Sequence, residues 1–586
     1  MKNAKNISLG GYSWRFNAID EALSERMAQT YELPGYLADL LCRRNVAFAD
    51  VENFIYPKLQ NLMPDPYVLQ DMQKAVERVA EAVIAQEKIA IIGDYDVDGA
   101  TSSSILTRFL KQVGIIPLVH IPSREEGYGP SDLAFAKFKD QKINLVITID
   151  CGTTAFDVLN RAAAAGFEII IIDHHEAEAL LPKVYAVVNP KRLDEKNPYE
   201  YLQYMSAVGV GFMFLVALNR QLRQKGFYQG QSEPNLLQLL DLVALGTVCD
   251  VVPLRGLNRA YVKQGLKVMA LQQNVGLKNL MQELKMSTAP SAYHLGFVLG
   301  PRINACGRVG DATLGSKLLC SENDDEAQKL AAKFNEFNEQ RKEIENYVLL
   351  QAIEQVEKEE SEFPMAFAYG KDWHQGVIGI VAGKLKERYH LPAFVMSVED
   401  NDVKGSARSV DGVDLGALII AAKEKGVITG GGGHTMAAGF SLLPTQINEF
   451  KKFAGEYISR HLDEHQAVPQ LYIDCRLSVG AVNLNFAENI SLLEPFGTGN
   501  PEPQIMLSDV VISRPQVVGS GHVKCFLSSS SGGYLPAIAF RCTDNEIGQA
   551  LLANYGEVYD VVGNVKIDEW QGQKKVQFVI NDIMRK

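Results

Sequence analysis

Residues 169–176 read IIIIDHHE, four consecutive isoleucines that run into an aspartate and two adjacent histidines. An apolar run without alternation reads as a strand buried on both faces, hence a parallel sheet covered by helices. A buried strand has no use for the three polar groups at its end. The same pattern recurs upstream, where KIAIIGDYD (88–96), NLVITIDCG (144–152) and FEIIIIDHH (167–175) alternate with the helical stretches ATSSSILTRFLKQVG (100–114) and AFDVLNRAAAAG (155–166). Each apolar run delivers metal-binding side chains: Asp94, Asp96 and Asp98; then Asp150; then Asp173, His174 and His175. A fourth apolar segment, LLDLVALGTVC (239–249), reads as a helix and delivers Asp250.

In a parallel sheet the strand C-termini share one edge, and ligands bind there where the strand order reverses. Sequence-distant acids therefore converge. Crowded carboxylates repel one another unless cations sit among them. An aspartate at a strand end is, taken alone, more often a helix cap or turn former, and Asp94 stays open between the two readings. The convergence carries the argument. Mixed Asp/His donors suit Mn²⁺ or Mg²⁺, and about six of them suit two ions sharing one carboxylate. Such a pair, about 3.5–4 Å apart, generates hydroxide and stabilises a leaving oxygen in phosphate-ester displacement.

The surrounding chain sets the limits. With 586 residues, 47% hydrophobic and 22% charged, it reads as three or four ordinary globular domains. The opening MKNAKNISLGGYSWRFN has no apolar signal region, and no stretch approaches the ~20 apolar residues of a membrane span. Eight scattered cysteines without a CxxC pair point to a reducing cytoplasm rather than a disulfide framework or zinc knuckle. The net charge of −12 counts against a basic nucleic-acid coat, so a polyanion would have to be held locally by metals or a focused groove.

Five segments follow. Residues 1–65 are mostly helical in pattern, and 66–325 form the first α/β unit. Residues 326–362, with Leu330, Phe334, Phe337, Ile344 and Val348 at helical spacing, predict one connecting helix about 50 Å long. A second α/β unit occupies 363–462. Residues 468–586 carry six short β runs that predict a small all-β barrel; with nine Lys/Arg against twelve Asp/Glu, that barrel cannot grip a strand by net charge.

Other motifs carry chemistry of their own. GPRINACGR (300–308) offers Arg302, Asn304 and Arg308, whose guanidinium forks match phosphate oxygens. GGGGH (430–434), with Gly431, Gly432 and His434, would let amide N–H groups meet a sugar-phosphate backbone as a glycine nest does. No Gly-Lys-Ser/Thr follows, so ATP use is not indicated. Tyr128 in GYG would stack on a base or ribose or equally pack within the protein. Phe526, Phe540 and Trp570 in the β tail would be available to stack bases, although aromatic residues in β runs more often fill cores.

DYDVDG (94–99), DCG (150–152), DHH (173–175) and GTVCDVVPL (246–254) resemble the four core motifs of the DHH phosphoesterases. GPRINACGR, GSARS (405–409) and GGGGHTMAAGF (430–440) narrow the resemblance to the family's bacterial single-stranded-DNA exonucleases, over nearly the whole chain. It implies a DHH catalytic domain, a connecting helix, a DHH-associated domain and a barrel of the OB type. Asp96, Asp98, Asp150, His174 and Asp250 match the metal ligands, with Asp150 bridging two Mn²⁺ or Mg²⁺ ions. His175 falls near the scissile phosphate, and Ser406 with Arg408 matches a clamp for a terminal 5′-phosphate. Thiolate ligation by Cys151, Cys249 or Cys306 is not expected at a hard-ion site. The implied activity is 5′→3′ digestion of single-stranded DNA to mononucleotides in repair and recombination. A cytoplasmic monomer is expected, working with a helicase and a single-strand-binding protein. Two alternatives share these motifs: a phosphodiesterase for short oligonucleotides or cyclic dinucleotides, and a non-catalytic scaffold with a decayed core.

Overall fold

In the computed structural model, which describes residues 7–123, 126–359, 362–462, 468–530, 532–553, 556–570 and 573–586, the IIII run lies inside a five-stranded parallel sheet. The strand order is Leu118–His120, Ile89–Ile92, Leu145–Ile149, Glu168–Ile172, Ala186–Val188. Alternate residues feed two separate cores. Ile89, Ile91, Ile147, Ile170 and Ile172 pack with the helices Met72–Ile84, Val97–Gln112 and Ala207–Gln224. Ala90, Ile92, Val146, Ile169 and Ile171 pack with Asp132–Asp140 and Phe156–Ala164. Both faces are apolar because both are covered. From Ile89–Ile92 the chain moves first to one side of the sheet and then to the other. The order therefore reverses between this strand and Leu145–Ile149, the two whose ends carry Asp94 to Asp98 and Asp150.

The connecting helix runs Asp324–Lys358, and the Asn323 side chain caps it by accepting the Glu326 N–H at 2.9 Å. It is more than a spacer. Ala327, Leu330, Ala331 and Phe334 belong to the core of the first unit, Val348 and Ala352 to that of the second. Between them the buried Glu345 pairs with Arg341 and Lys384. The second unit holds a mixed sheet in the order Gly430–His434, Ala437–Leu442, Val403–Arg408, Ala393–Val398, Ala366–Lys371.

Five of the six C-terminal β runs close a barrel, in the order Ile505–Val518, His522–Ser529, Tyr534–Ala539, Gln573–Arg585, Val558–Trp570, with the last pairing back to the first. The sixth run splits: Cys475–Leu477 extends the barrel sheet, while Gln470–Ile473 pairs in parallel with Ser13–Phe16 from the other end of the chain. Met27, Leu37, Leu40, Leu41 and Val51 share a core with Phe486, Ile490 and Leu493 of the barrel region. Arg259, 1% exposed, locks this assembly to the first α/β unit by donating to the carbonyls of Phe54, Leu493, Glu494 and Pro495.

Candidate metal centre and nucleic-acid interface

The acids meet at the reversal of strand order. Asp96 caps the helix Val97–Gln112, its Oδ1 accepting from the Gly99 N–H at 3.0 Å. Asp98, in the first turn of that helix, is held by the opening amides of the helix Ala207–Gln224: Oδ2 accepts from Ala207 N–H at 2.6 Å and Oδ1 from Val208 N–H at 3.0 Å. The positive end of that helix favours a carboxylate there. Leu240–Cys249 is the predicted helix, and Asp250 ends it. Gly246 permits its close approach, since a Cβ at that position would stand 2.8 Å from Asp98 Oδ1. Val251 then turns at φ 60°, a conformation β-branched residues rarely accept, and the turn leaves Asp250 facing the cluster.

His174 joins the set. Its Nε2 lies 3.3 Å from Asp150 Oδ1 and 3.9 Å from Asp98 Oδ2, and its Nδ1 lies 3.5 Å from Asp250 Oδ2. Neither ring nitrogen, nor Asp250 Oδ2, makes a hydrogen bond among the described residues, although all three atoms are buried. Burial and the adjacent His175 lower the His174 imidazole to about 3, so it stays neutral with a lone pair to give. Burial, and then their mutual repulsion, raises Asp98, Asp150 and Asp250 well above the usual carboxylate range. Donor atoms come within 4.8 Å of one another in three groups: Asp94, Asp96 and Asp150; Asp98, His174 and Asp250; and Asp150, His174 and His175. A repelling carboxylate cluster with unpartnered buried imidazole nitrogens fits divalent cations. No cysteine enters these groups, and burial pushes the Cys306 thiol up to about 12.

Asp173, which the sequence groups with the metal-binding side chains, enters none of these donor groups and instead organises the loop. Its Oδ1 accepts from the His174 N–H at 2.8 Å and pairs with His175 Nδ1 at 2.7 Å, and its Oδ2 accepts from the Thr153 N–H at 3.0 Å. These bonds outweigh burial and hold it strongly acidic. His175 is correspondingly raised: burial opposes its charge, but the bond to Asp173 and the nearby carboxylates prevail. Asn189 braces the same loop, donating to Thr153 Oγ1 and to the His175 carbonyl, both at 2.9 Å.

The chain matches the models of the DHH family N-terminal domain over residues 88–247, the DHHA1 domain over 362–460 and the RecJ OB domain over 473–582. It is 33% identical to the "Single-stranded-DNA-specific exonuclease RecJ" of Dickeya dadantii, across 97% of this chain and 99% of that one. To the protein of the same name from Bacillus subtilis it is 31% identical, across 97% and 70%. The chain belongs to the RecJ family. Two crystal structures of RecJ from Thermus thermophilus, in complex with Mn²⁺ and with Mg²⁺, share its fold at TM-scores of 0.80 and 0.75 with 26% identity. They cover 98% of this chain and 79% and 78% of their own. Those relatives were crystallised with Mn²⁺ and Mg²⁺, and this chain places acidic and imidazole groups where they could hold such ions.

The remaining RecJ motifs sit less simply than their sequence suggested. Arg302 is tied into the fold, with Nε donating to Asn335 Oδ1 at 3.1 Å and Nη1 to the Val298 carbonyl at 2.8 Å. Arg308 Nη1 donates to the Gly376 carbonyl at 2.8 Å and so bridges the two α/β units. Asn304 lies half-buried on the same helix, Gly300–Val309. A Cβ on Gly307 of that helix would stand 2.5 Å from the Tyr95 carbonyl oxygen, so the helix rests directly on the DYDVDG loop. On the strand Val403–Arg408, Arg408 donates to Ser406 Oγ at 3.1 Å. It has no carboxylate partner among the described residues, and burial lowers its basicity. GGGGH is no nest. Gly431, Gly432 and His434 lie in an edge strand, exposed and antiparallel to Ala437–Leu442. Phe526 stacks on Tyr534 at 4.5 Å and 14°, and Phe540 is 55% exposed; neither fills the barrel core. The side chain of Trp570 lies outside the described residues.

Proposed function

We propose that this chain is a metal-dependent exonuclease that hydrolyses single-stranded DNA from the 5′ end to mononucleotides. The observation that carries the reading is the convergence of the buried Asp98, Asp150 and His174 with the half-buried Asp96 and Asp250, in which both nitrogens of His174 lack a hydrogen-bond partner among the described residues. The RecJ relatives are named single-stranded-DNA-specific exonucleases; the 5′→3′ polarity comes from motif resemblance.

Asp96, Asp98, Asp150, His174 and Asp250 would hold two Mn²⁺ or Mg²⁺ ions. When bound, these ions supply Lewis acidity toward water and toward the phosphate. Asp150 enters two of the three donor groups, as does His174; the shared role given to Asp150 rests on motif resemblance. His175, with Nδ1 held by Asp173, presents Nε2 to a phosphate oxygen and stabilises the charge growing there. Arg302 and Arg308 add positive potential on the helix that rests against the metal loop, and Asn304 lies between them to contact the strand. Arg408 and Ser406 bind the terminal 5′-phosphate: the half-buried guanidinium has no carboxylate partner among the described residues, and guanidinium forks pair well with phosphate oxygens. A cleft of about 1380 Å³ opens between the α/β units; its lining mixes Arg308, His374 and Lys404 with Glu126, Asp311 and Asp402 and includes none of the metal ligands, so in this reading it serves as an approach for the strand rather than as the reaction site. Gly431, Gly432 and His434 offer an open strand edge to the sugar-phosphate chain. In this reading the enzyme is a cytoplasmic monomer that acts beside a helicase and a single-strand-binding protein.

The test is digestion of 5′-labelled and 3′-labelled single strands and duplex, with and without Mn²⁺. Labelled mononucleotide should appear at once from the 5′-labelled single strand only, and only with metal. Release from the 3′ label first, or equal attack on duplex, would refute the reading.

A further inference from the structure

Tyr128 reads from the sequence equally as a residue that stacks on a base or ribose and as a packing residue; in the structure it is 51% exposed, but its hydroxyl is committed to the protein. Gly127 and Gly129 flank it at φ 98° and 79°, both in the left-handed region that favours glycine. This double turn directs the Tyr128 hydroxyl inward, where it donates to the main-chain carbonyl of Asp150 at 3.0 Å. Asp150 itself sits at φ 63°, uncommon for a residue with a Cβ. Its N–H is taken by the Ile172 carbonyl at 3.0 Å, the last rung of the sheet. With N–H and carbonyl both held, Asp150 cannot relax into the extended region, a change that would swing its Cβ and carry the carboxylate away from His174. The Tyr128 oxygen also lies 3.3 Å from His175 Nε2, so one hydroxyl touches both histidine-bearing and carboxylate-bearing segments. The ring meets His175 and Tyr95 edge-on, at 5.9 Å and 6.4 Å.

We infer that Tyr128 is a positioning residue: its hydroxyl, through the Asp150 carbonyl, fixes the backbone that aims the Asp150 carboxylate into the metal-ligand cluster. The inference deepens the nuclease reading and rests on it for the identity of the reaction. A stacking role needs the ring, whereas a positioning role needs only the hydroxyl, so Tyr128→Phe separates them.

The full chain and the Tyr128→Phe variant are titrated with Mn²⁺ alone by calorimetry, melted in chelator, and assayed on a 5′-phosphorylated single strand. Mn²⁺ affinity and kcat should each fall about tenfold to a hundredfold, the range seen when a group supporting a metal ligand is removed. KM for the strand and the melting temperature in chelator should stay at wild-type values. Unchanged Mn²⁺ affinity overturns the proposal whatever the kinetics. A raised KM with unchanged kcat and affinity overturns it too, and returns Tyr128 to base stacking. Should the wild-type chain leave the strand intact, the nuclease reading fails, while the Mn²⁺ titration still decides the positioning role.

Discussion

Nε2 of His174 stands 3.3 Å from Oδ1 of Asp150, yet the two atoms share no hydrogen bond. The imidazole is neutral, so no ion pair forms, and both His174 ring nitrogens are left unsatisfied among the described residues. An unsatisfied buried polar group costs about 1–3 kcal/mol. Metal-free protein should therefore be less stable than metal-loaded protein, and the difference should reside in these residues.

Mn²⁺ should raise the melting temperature, by the equivalent of about 2.7 kcal/mol at a hundredfold excess over its dissociation constant. Asp150→Asn should lose both this shift and hydrolysis, while its melting temperature in chelator equals or exceeds that of wild type, because one repelling charge has gone. Differential scanning fluorimetry with Mn²⁺ and with chelator checks this. A full Mn²⁺ shift in Asp150→Asn would remove Asp150 from the ligand set.

Arg408 predicts a preference among substrates. Arg408→Gln should slow hydrolysis of 5′-phosphorylated strands by about tenfold to a hundredfold, the value of a hydrogen bond to a charged group. Strands ending in a 5′-hydroxyl should be cut at the wild-type rate. Competition between the two strand types in one tube reads the ratio directly.

Asp241 gives a pH signature away from the metal ligands. It lies 2% exposed in the first turn of Leu240–Cys249, and burial raises its carboxyl to about 7. Below about pH 4 it is protonated in both folded and unfolded chains. From there to about 7 the unfolded chain loses the proton and the folded chain keeps it, so the stability contribution is present at low pH and lost as pH rises. Asp241→Asn should gain on wild type across this window, by at most about 4 kcal/mol. Urea midpoints of both proteins at several pH values check the trend; a constant difference would show that Asp241 titrates normally.

Gly246 tests the packing that assembles the site. With Asp98 Oδ1 2.8 Å from where its Cβ would be, Gly246→Ala should push two helices apart and cost about 1–3 kcal/mol. Mn²⁺ affinity should fall as well, because Asp98 and Asp250 ride on those helices. Stability loss with wild-type Mn²⁺ affinity would show that the ligands adjust independently.

Much of this architecture was written locally. The isoleucine runs dictated strands covered on both faces, because only a parallel sheet removes both sides of such a run from water. Asp94 to Asp98, Asp150, His174 and Asp250 announced themselves by ending those segments, and the 3.6-residue rhythm of Leu330, Phe334 and Val348 announced the connecting helix. The OB-type barrel was legible from six short β runs, but the diversion of Gln470–Ile473 to pair with Ser13–Phe16 was not, since strand partners far apart in sequence leave no local trace.

What the chain alone determined, then, is which residue types end which elements, because periodicity and turn chemistry act over a few residues. Only the tertiary structure decided what each polar group touches: Arg302 bound to Asn335, GGGGH drawn into a sheet edge, Asp173 serving as the hub of its loop, and Tyr128 turned inward onto Asp150. Hydrogen bonds and burial depend on distances between segments that sequence spacing does not record. Those distances separate a metal ligand from a cap, and a base platform from a brace.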